Sequence, residues 1–128
     1  MTSTTSPSSP DFASLSLPPH VLANLTQLGY LSMTPIQAAS LPPALLGKDI
    51  IAQAKTGSGK TAAFALALLA NLNVRHFAVQ AMVLGPTREL ADQVTTEIGG
   101  LARAEEDIKV VTIFGGVALR GQIASLEH

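Results

Sequence analysis

One short glycine-rich stretch limits what this chain can fold into. Positions 54–61 read AKTGSGKT and follow the apolar run DIIAQA at 49–54. Gly57 and Gly59 allow backbone angles that other residues avoid, so successive N–H groups can turn inward around a phosphate at the positive end of the next helix. Such a loop follows a strand and opens a helix. The stretch therefore predicts a strand–loop–helix unit that binds phosphate.

The end of this loop predicts chemistry on a triphosphate. The general pattern is G-x-x-x-x-G-K-[ST], in which the lysine, here Lys60, reaches the β and γ phosphates. The hydroxyl of Thr61 is suited to bind Mg²⁺. An incidental glycine turn before a helix is the alternative interpretation. The predicted catalytic residues are Lys60 and Thr61, and the predicted nucleotide contacts in the loop are Ala54, Lys55, Thr56, Gly57, Ser58, Gly59, Lys60 and Thr61.

Apolar runs and turn residues alternate along the rest of the chain. Strands are predicted at 49–54, 79–86 and 108–114, and each is followed by a predicted helix, over 60–72, 87–98 and a last piece that ends near residue 126. This order predicts an α/β fold in three layers, with a parallel sheet between helices on both faces. Because the carboxyl ends of parallel strands meet at one edge, the loops after them should line one rim.

Prolines and glycines predict where the other helices begin and end. An early helix should end at Gly29, and a second should begin at Thr34, break at Pro42–Pro43 and end near Gly47. The pair Gly99–Gly100 falls within the helix predicted after the second strand, at a cost of about 1 kcal/mol per glycine relative to alanine. We expect that helix to end early or to be weak.

Composition excludes several classes of function. Eight Lys and Arg against nine Asp and Glu give a net charge of −1, so no overall basic surface indicates a nucleic-acid binder. The chain has no cysteine, and its three histidines are scattered, so no metal cluster is expected. The most apolar run, 61–74, is shorter than the ~20 residues of a membrane span. We expect a cytoplasmic protein with no membrane partner, a disordered Ser, Thr and Pro-rich tail over 1–11 and one domain over 12–128.

The residues before the phosphate loop indicate which base is bound. Thr34 followed three residues later by Gln37 is a capping box at a helix start. The amide of Gln37 also offers the acceptor and donor that match N6 and N7 of adenine. Tyr30 and Phe12 are aromatic side chains that could pack beside the base. A plain capping box and ordinary helix-packing aromatics are the alternatives.

Taken together, these motifs resemble a known family. Phe12, Gly29-Tyr30, TPIQ at 34–37, the phosphate loop, PTRELA at 86–91 and Gly115-Gly116 occur in the order of the amino-terminal half of the first RecA-like lobe of DEAD-box RNA helicases. Within that family they are most similar to the bacterial DbpA type. The resemblance covers residues 12–128, and its Q motif falls at 12–38. It implies adenine recognition by Phe12, Tyr30, Thr34 and Gln37, and RNA backbone contacts by Pro86, Thr87, Arg88, Glu89, Gly115 and Gly116.

The resemblance also implies an activity. A DEAD-box protein of this type uses ATP and Mg²⁺ to remodel or unwind short RNA duplexes, here by implication ribosomal RNA during large-subunit assembly. The 128 residues contain neither an Asp-Glu-Ala-Asp nor a Ser-Ala-Thr sequence. We therefore expect an incomplete lobe that binds nucleotide without hydrolysing it and self-associates through an exposed sheet edge. Another P-loop enzyme, such as a small-molecule kinase, and a non-catalytic ATP-binding module remain as alternatives.

Overall fold

Helices form the regular structure of the chain. A computed structural model describes residues 10–127. A short 3₁₀ helix, Phe12–Leu15, precedes the α-helices, which are α1 (Pro19–Gln27), α2 (Pro35–Leu45), α3 (Lys60–Ala70), α4 (Arg88–Ala102) and α5 (Leu119–Glu127). None of the helices in this part of the chain is both long and apolar enough to cross a membrane. The predicted disordered tail lies outside the described residues except for Pro10 and Asp11.

Local sequence signals place the starts of α1 and α2. Pro19 occupies the first position of α1, where the missing N–H costs nothing. Gly29 follows the end of α1 at φ +88°, as predicted. Thr34 is the N-cap of α2, and both hydrogen bonds of the predicted capping box form with Gln37. The predicted end of the first helix at Gly29 and the predicted start of the second at Thr34 are confirmed, because neighbouring residues alone determine them.

The predicted break at Pro42 and Pro43 is wrong, because α2 continues through both residues to Leu45. Each proline removes one N–H from the helical hydrogen bonds. Packing offsets this cost, since the neighbouring Leu41 is completely buried in the core. The buried hydroxyl of Ser40 also donates to the carbonyl of Ile36 over 2.6 Å within the same helix.

The predicted early end of α4 at Gly99–Gly100 is also wrong, because the helix runs to Ala102. Its last turn is anchored by the buried side chains of Ile98 and Leu101. The side-chain amide of Asn24 on α1 donates to the carbonyls of Gly100 and Leu101, over 3.1 and 3.2 Å. These carbonyls lack partners within the helix. Tertiary contacts therefore outweigh the low helix propensity of glycine here.

No strand forms within residues 10–127, so the predicted parallel sheet is not present in this structure. The three segments expected as strands, 49–54, 79–86 and 108–114, carry no regular secondary structure. A strand exists only when a neighbouring strand pairs with it, whereas an apolar pattern reports only a tendency to be buried. Most side chains in these segments are exposed, among them Ile51 and Leu84.

The core lies where the helices meet. Helix α2 packs on α3, α3 packs on α4, and α1 also contacts α4. Small side chains on α3 let its neighbours approach closely, since Ala62 and Ala65 are completely buried. The buried core consists of Phe12, Leu17, Leu25, Met33, Leu41, Ala62, Ala65, Leu66, Ala67, Ile98 and Leu101. This core fixes the amino end of α3, where the glycine-rich loop joins it.

Candidate functional site

The glycine-rich loop has the backbone shape that its sequence predicts. Gly57 and Gly59 adopt φ values of +80° and +86°, in the left-handed region that favours glycine. Gly59 is the N-cap residue of α3, so the loop ends at the positive end of that helix. The N–H of Ser58 donates to the carbonyl of Lys55 over 3.2 Å, which closes a tight turn. The predicted helix follows the loop, and the predicted strand before it does not form.

Lys60 and Thr61 occupy the first turn of α3. The ammonium group of Lys60 donates to the carbonyl of Ala54 over 2.7 Å, so its side chain folds back across the loop. A phosphate group in the loop would compete with that neutral carbonyl, and a charged oxygen is the stronger acceptor. Thr61 is partly buried on the next position of the helix. Lys55 and Thr56 are exposed, and Ala54 is partly buried.

Gln37 joins the upstream motif to the phosphate loop. Its side chain is 1% exposed. The amide oxygen accepts from the N–H of Thr34 over 3.0 Å, and the amide nitrogen donates to the carbonyl of Gly59 over 3.2 Å. One N–H and one oxygen lone pair of the amide are left over. Gln37 of the predicted capping box therefore also contacts the loop at Gly59, 22 positions further along the chain.

The same contact explains why position 59 needs a glycine. A Cβ at Gly59 would collide with the amide nitrogen of Gln37 and would lie 3.1 Å from the hydroxyl oxygen of Thr34. By contrast, a Cβ at Gly57 would have no other atom within 4 Å. Gly59 is therefore required for close approach as well as for its backbone angle, whereas Gly57 is required for its angle alone.

The two aromatic residues proposed to flank adenine pack against each other, with Phe12 buried and Tyr30 half-buried. Phe12 is 2% exposed, and its ring meets that of Tyr30 edge to face at 6.3 Å between centroids. The hydroxyl of Tyr30 donates to the carboxylate of Glu97 on α4 over 2.6 Å. Burial, followed by this hydrogen bond and the carboxylate charge, raises the pKa of Tyr30. Tyr30 thus connects the upstream motif to α4.

The residues proposed for RNA form a second cluster, at the amino end of α4. Thr87 is the N-cap of α4, and its hydroxyl accepts from the N–H of Leu90 over 3.2 Å. The guanidinium of Arg88 donates to the carbonyl of Gly115. Gly116 follows at φ +74°. All six residues of this set are exposed, namely Pro86, Thr87, Arg88, Glu89, Gly115 and Gly116.

The structure brings together residues within each cluster. Gln37 meets Gly59, and Arg88 meets Gly115, but no hydrogen bond within residues 10–127 joins one cluster to the other. A continuous rim, as predicted from a parallel sheet, is therefore not formed by direct contacts. Sequence reasoning missed Glu97 as the partner of Tyr30. The two residues are 67 positions apart, and no local pattern relates them.

The loop has features that suit a bound phosphate. The hydroxyl oxygen of Ser58 is buried and has no hydrogen-bond partner among the described residues. The space beside Gly57 is open, and the N–H groups of the first turn of α3 point toward the loop. For Mg²⁺ the part of the chain described here offers no cluster of three or more His, Cys, Asp or Glu. A single hydroxyl such as that of Thr61 suits Mg²⁺ only together with phosphate oxygens and waters.

Comparison with known proteins gives consistent matches. Residues 34–128 match the family model described as DEAD/DEAH box helicase. The ATP-dependent RNA helicase DbpA of Escherichia coli (strain K12) is 56% identical over 112 residues, which are 88% of this chain and 24% of that protein. This chain therefore spans about a quarter of the length of that curated relative.

Solved structures agree with the sequence matches. A DEAD box protein from the hyperthermophile Methanococcus jannaschii is 39% identical, with a TM-score of 0.85 over 91% of this chain and 32% of that one. The RNA helicase Prp28 from Chaetomium thermophilum, solved bound to ADP, is 39% identical, with a TM-score of 0.77 over 88% of this chain and 28% of that one. The backbone described above is thus similar to part of these helicase domains.

Proposed function

Because this chain belongs to the DEAD/DEAH box helicase family, we propose that it forms the ATP-binding part of an ATP-dependent RNA helicase. The observation that supports this most is the hydrogen bond from the Gln37 amide to the carbonyl of Gly59. It joins the residue suited to adenine and the loop suited to phosphate in one place. Membership in this family disfavours the alternative of a small-molecule kinase.

In this proposal the loop from Ala54 to Thr61 holds the phosphates. Lys60 exchanges its bond to the Ala54 carbonyl for the β and γ phosphates. Thr61 shares Mg²⁺ with phosphate oxygens, and the ion would offset their charge. Gln37 reads adenine with its remaining N–H and lone pair, and Phe12, Tyr30 and Thr34 shape the base side. Because Gln37 is almost completely buried, the chain around it must open to admit the base.

RNA is the proposed second ligand, along the cluster formed by Pro86–Glu89 and Gly115–Gly116. Exposed N–H groups at the amino end of α4 are suited to phosphate oxygens of the RNA backbone. Remodelling of short duplexes, ribosomal RNA as the substrate, large-subunit assembly and a cytoplasmic location rest on the resemblance to the DbpA type. The sequence from Met1 to His128 contains no Asp-Glu-Ala-Asp. We therefore propose that these 128 residues bind ATP without hydrolysing it.

The phosphate part of the proposal is tested by titrating ATP and Mg²⁺ into the chain and measuring the heat released. Lys60→Ala should weaken binding about tenfold or more, because a hydrogen bond to a charged group contributes roughly 1.5–3 kcal/mol. Lys48→Ala is the matched control, since Lys48 is exposed and lies outside the loop. Equal ATP affinity in the Lys60 and Lys48 variants would contradict the assignment.

A further inference from the structure

Helix α4 and the segment that follows it touch at two separate points. The hydroxyls of Thr95 and Thr112 lie 2.8 Å apart, and the guanidinium of Arg88 donates to the carbonyl of Gly115. Arg88 and Thr95 are seven residues apart, which is two helical turns on one face and a rise of about 10 Å. Thr112 and Gly115 are three residues apart, which also spans about 10 Å in extended chain. The distance along α4 from Arg88 to Thr95 therefore matches the distance along the facing segment from Gly115 to Thr112.

We infer that Arg88 is a positioning residue, whose guanidinium fixes the Gly115-Gly116 turn beside the amino end of α4. Because Thr95 already holds the segment at Thr112, the Arg88 contact sets where its far end lies. The two sets of backbone groups proposed to touch RNA are then presented as one surface. This inference rests on the RNA contact proposed above, and it gives Arg88 a role within the free protein.

The glycine at position 116 supports the same role. Its φ is +74°, and a Cβ there would lie 2.6 Å from a guanidinium nitrogen of Arg88. An added side chain would therefore displace Arg88 from the Gly115 carbonyl. A glycine at this position leaves room for the arginine as well as for an approaching RNA backbone. The far side of the turn is held by Gln122, whose side-chain oxygen accepts from the N–H of Phe114 over 2.7 Å.

The test is amide hydrogen exchange in the free chain, measured without RNA. Arg88→Ala and Gly116→Ala should each speed exchange across residues 113–118 about fivefold to tenfold, because the contact that holds this turn is lost. The variant that carries both substitutions should exchange more slowly than the product of the two single rate increases predicts, because both changes remove the same contact. Arg103→Ala is the control, because Arg103 is an exposed arginine at the other end of α4. Unchanged exchange in Arg88→Ala would overturn the inference.

RNA affinity separates positioning from direct charge contact. Arg88→Lys keeps the positive charge but loses the forked donor geometry of the guanidinium. It should therefore bind a single-stranded RNA oligonucleotide as weakly as Arg88→Ala, whereas Gly121→Ala, which has no atom near its added Cβ, should bind normally. Full RNA affinity in Arg88→Lys would overturn the positioning role. Faster exchange in a chain that binds no RNA would support the positioning of the turn and contradict the proposed RNA contact.

Discussion

Single residues in this protein serve two partners, and Gln37 and Tyr30 are the clearest cases. Gln37 accepts from the N–H of Thr34, the N-cap of α2, and also donates to the carbonyl of Gly59 in the phosphate loop. Tyr30 packs against Phe12 and donates to Glu97 on α4. Gln37 therefore connects the start of α2 to the phosphate loop, and Tyr30 connects the segment before α2 to the middle of α4. A substitution at either position would alter the fold and the proposed site together.

Tyr30 makes the stability of the chain depend on pH in a predictable direction. Its pKa is raised in the folded chain, so deprotonation favours unfolding. Stability is complete below the unfolded pKa, about 10, and falls as pH rises above it. Tyr30 is the only tyrosine, and the chain has no tryptophan, so absorbance of the tyrosinate ion reports on this residue alone. We predict that the ion appears at higher pH in the folded chain than in urea. Identical titrations would refute the hydrogen bond from the half-buried Tyr30 hydroxyl to Glu97.

The sequence was sufficient at positions where structure depends on neighbouring residues. Thr34 is an N-cap as predicted, and the helix predicted from position 87 begins there with Thr87 as its N-cap, because a hydroxyl three positions before a free N–H needs no distant partner. The positive φ of Gly57 and Gly59 follows from the loop pattern in the same way. The Tyr30–Glu97 and Arg88–Gly115 contacts could not be predicted, since they depend on how distant segments pack.

Helices are predicted well in position but poorly in extent. The five α-helices within residues 10–127 occur where the sequence places them, yet α2 passes through two prolines and α4 through two glycines. In both cases buried leucines beside the unfavourable residues stabilise the helix. Propensity describes an isolated helix, whereas the extent of these helices is determined by packing.

Helix α4 retains a glycine that contributes nothing visible to its packing. A Cβ at Gly99 would have no atom within 4 Å outside the helix backbone. We predict that Gly99→Ala raises the free energy of unfolding by about 0.5–1 kcal/mol, because alanine loses less backbone entropy in a helix. Urea unfolding followed by circular dichroism measures the change. Gly57→Ala should instead lower the free energy of unfolding, because alanine is strained at the positive φ of that position. A less stable Gly99→Ala chain would show that position 99 has a packing role.

The absence of a sheet within residues 10–127 is the largest difference between the molecule and the sequence prediction. The three segments expected as strands have apolar patterns, but nothing within residues 10–127 pairs with them. A sheet depends on partners that are distant in sequence, which no local pattern supplies. The chain is similar to about a third of the M. jannaschii structure. The general resemblance to DEAD-box helicase domains is confirmed, and the sheet stays a prediction.

Exposed apolar side chains in these segments predict self-association. Ile51, Met82 and Leu84 are all largely exposed, and the net charge of −1 gives little repulsion between copies. Light scattering after size-exclusion chromatography should give a mass above 13.2 kDa that rises with concentration. Ile51→Lys with Leu84→Lys should lower it, whereas Leu31→Lys, an equally exposed leucine outside the three segments, should not. A monomer at every concentration would exclude this association.

Gln37 and the phosphate loop are proposed to form one site for an adenine nucleotide. Calorimetric titration of the chain with ATP and with GTP, each with Mg²⁺, tests this claim. The Gln37 amide complements N6 and N7 of adenine but not the oxygen of guanine at the matching position. We predict that ATP binds at least about tenfold more tightly than GTP, in line with roughly 1–3 kcal/mol of base discrimination. Equal affinity for the two nucleotides would contradict the claim.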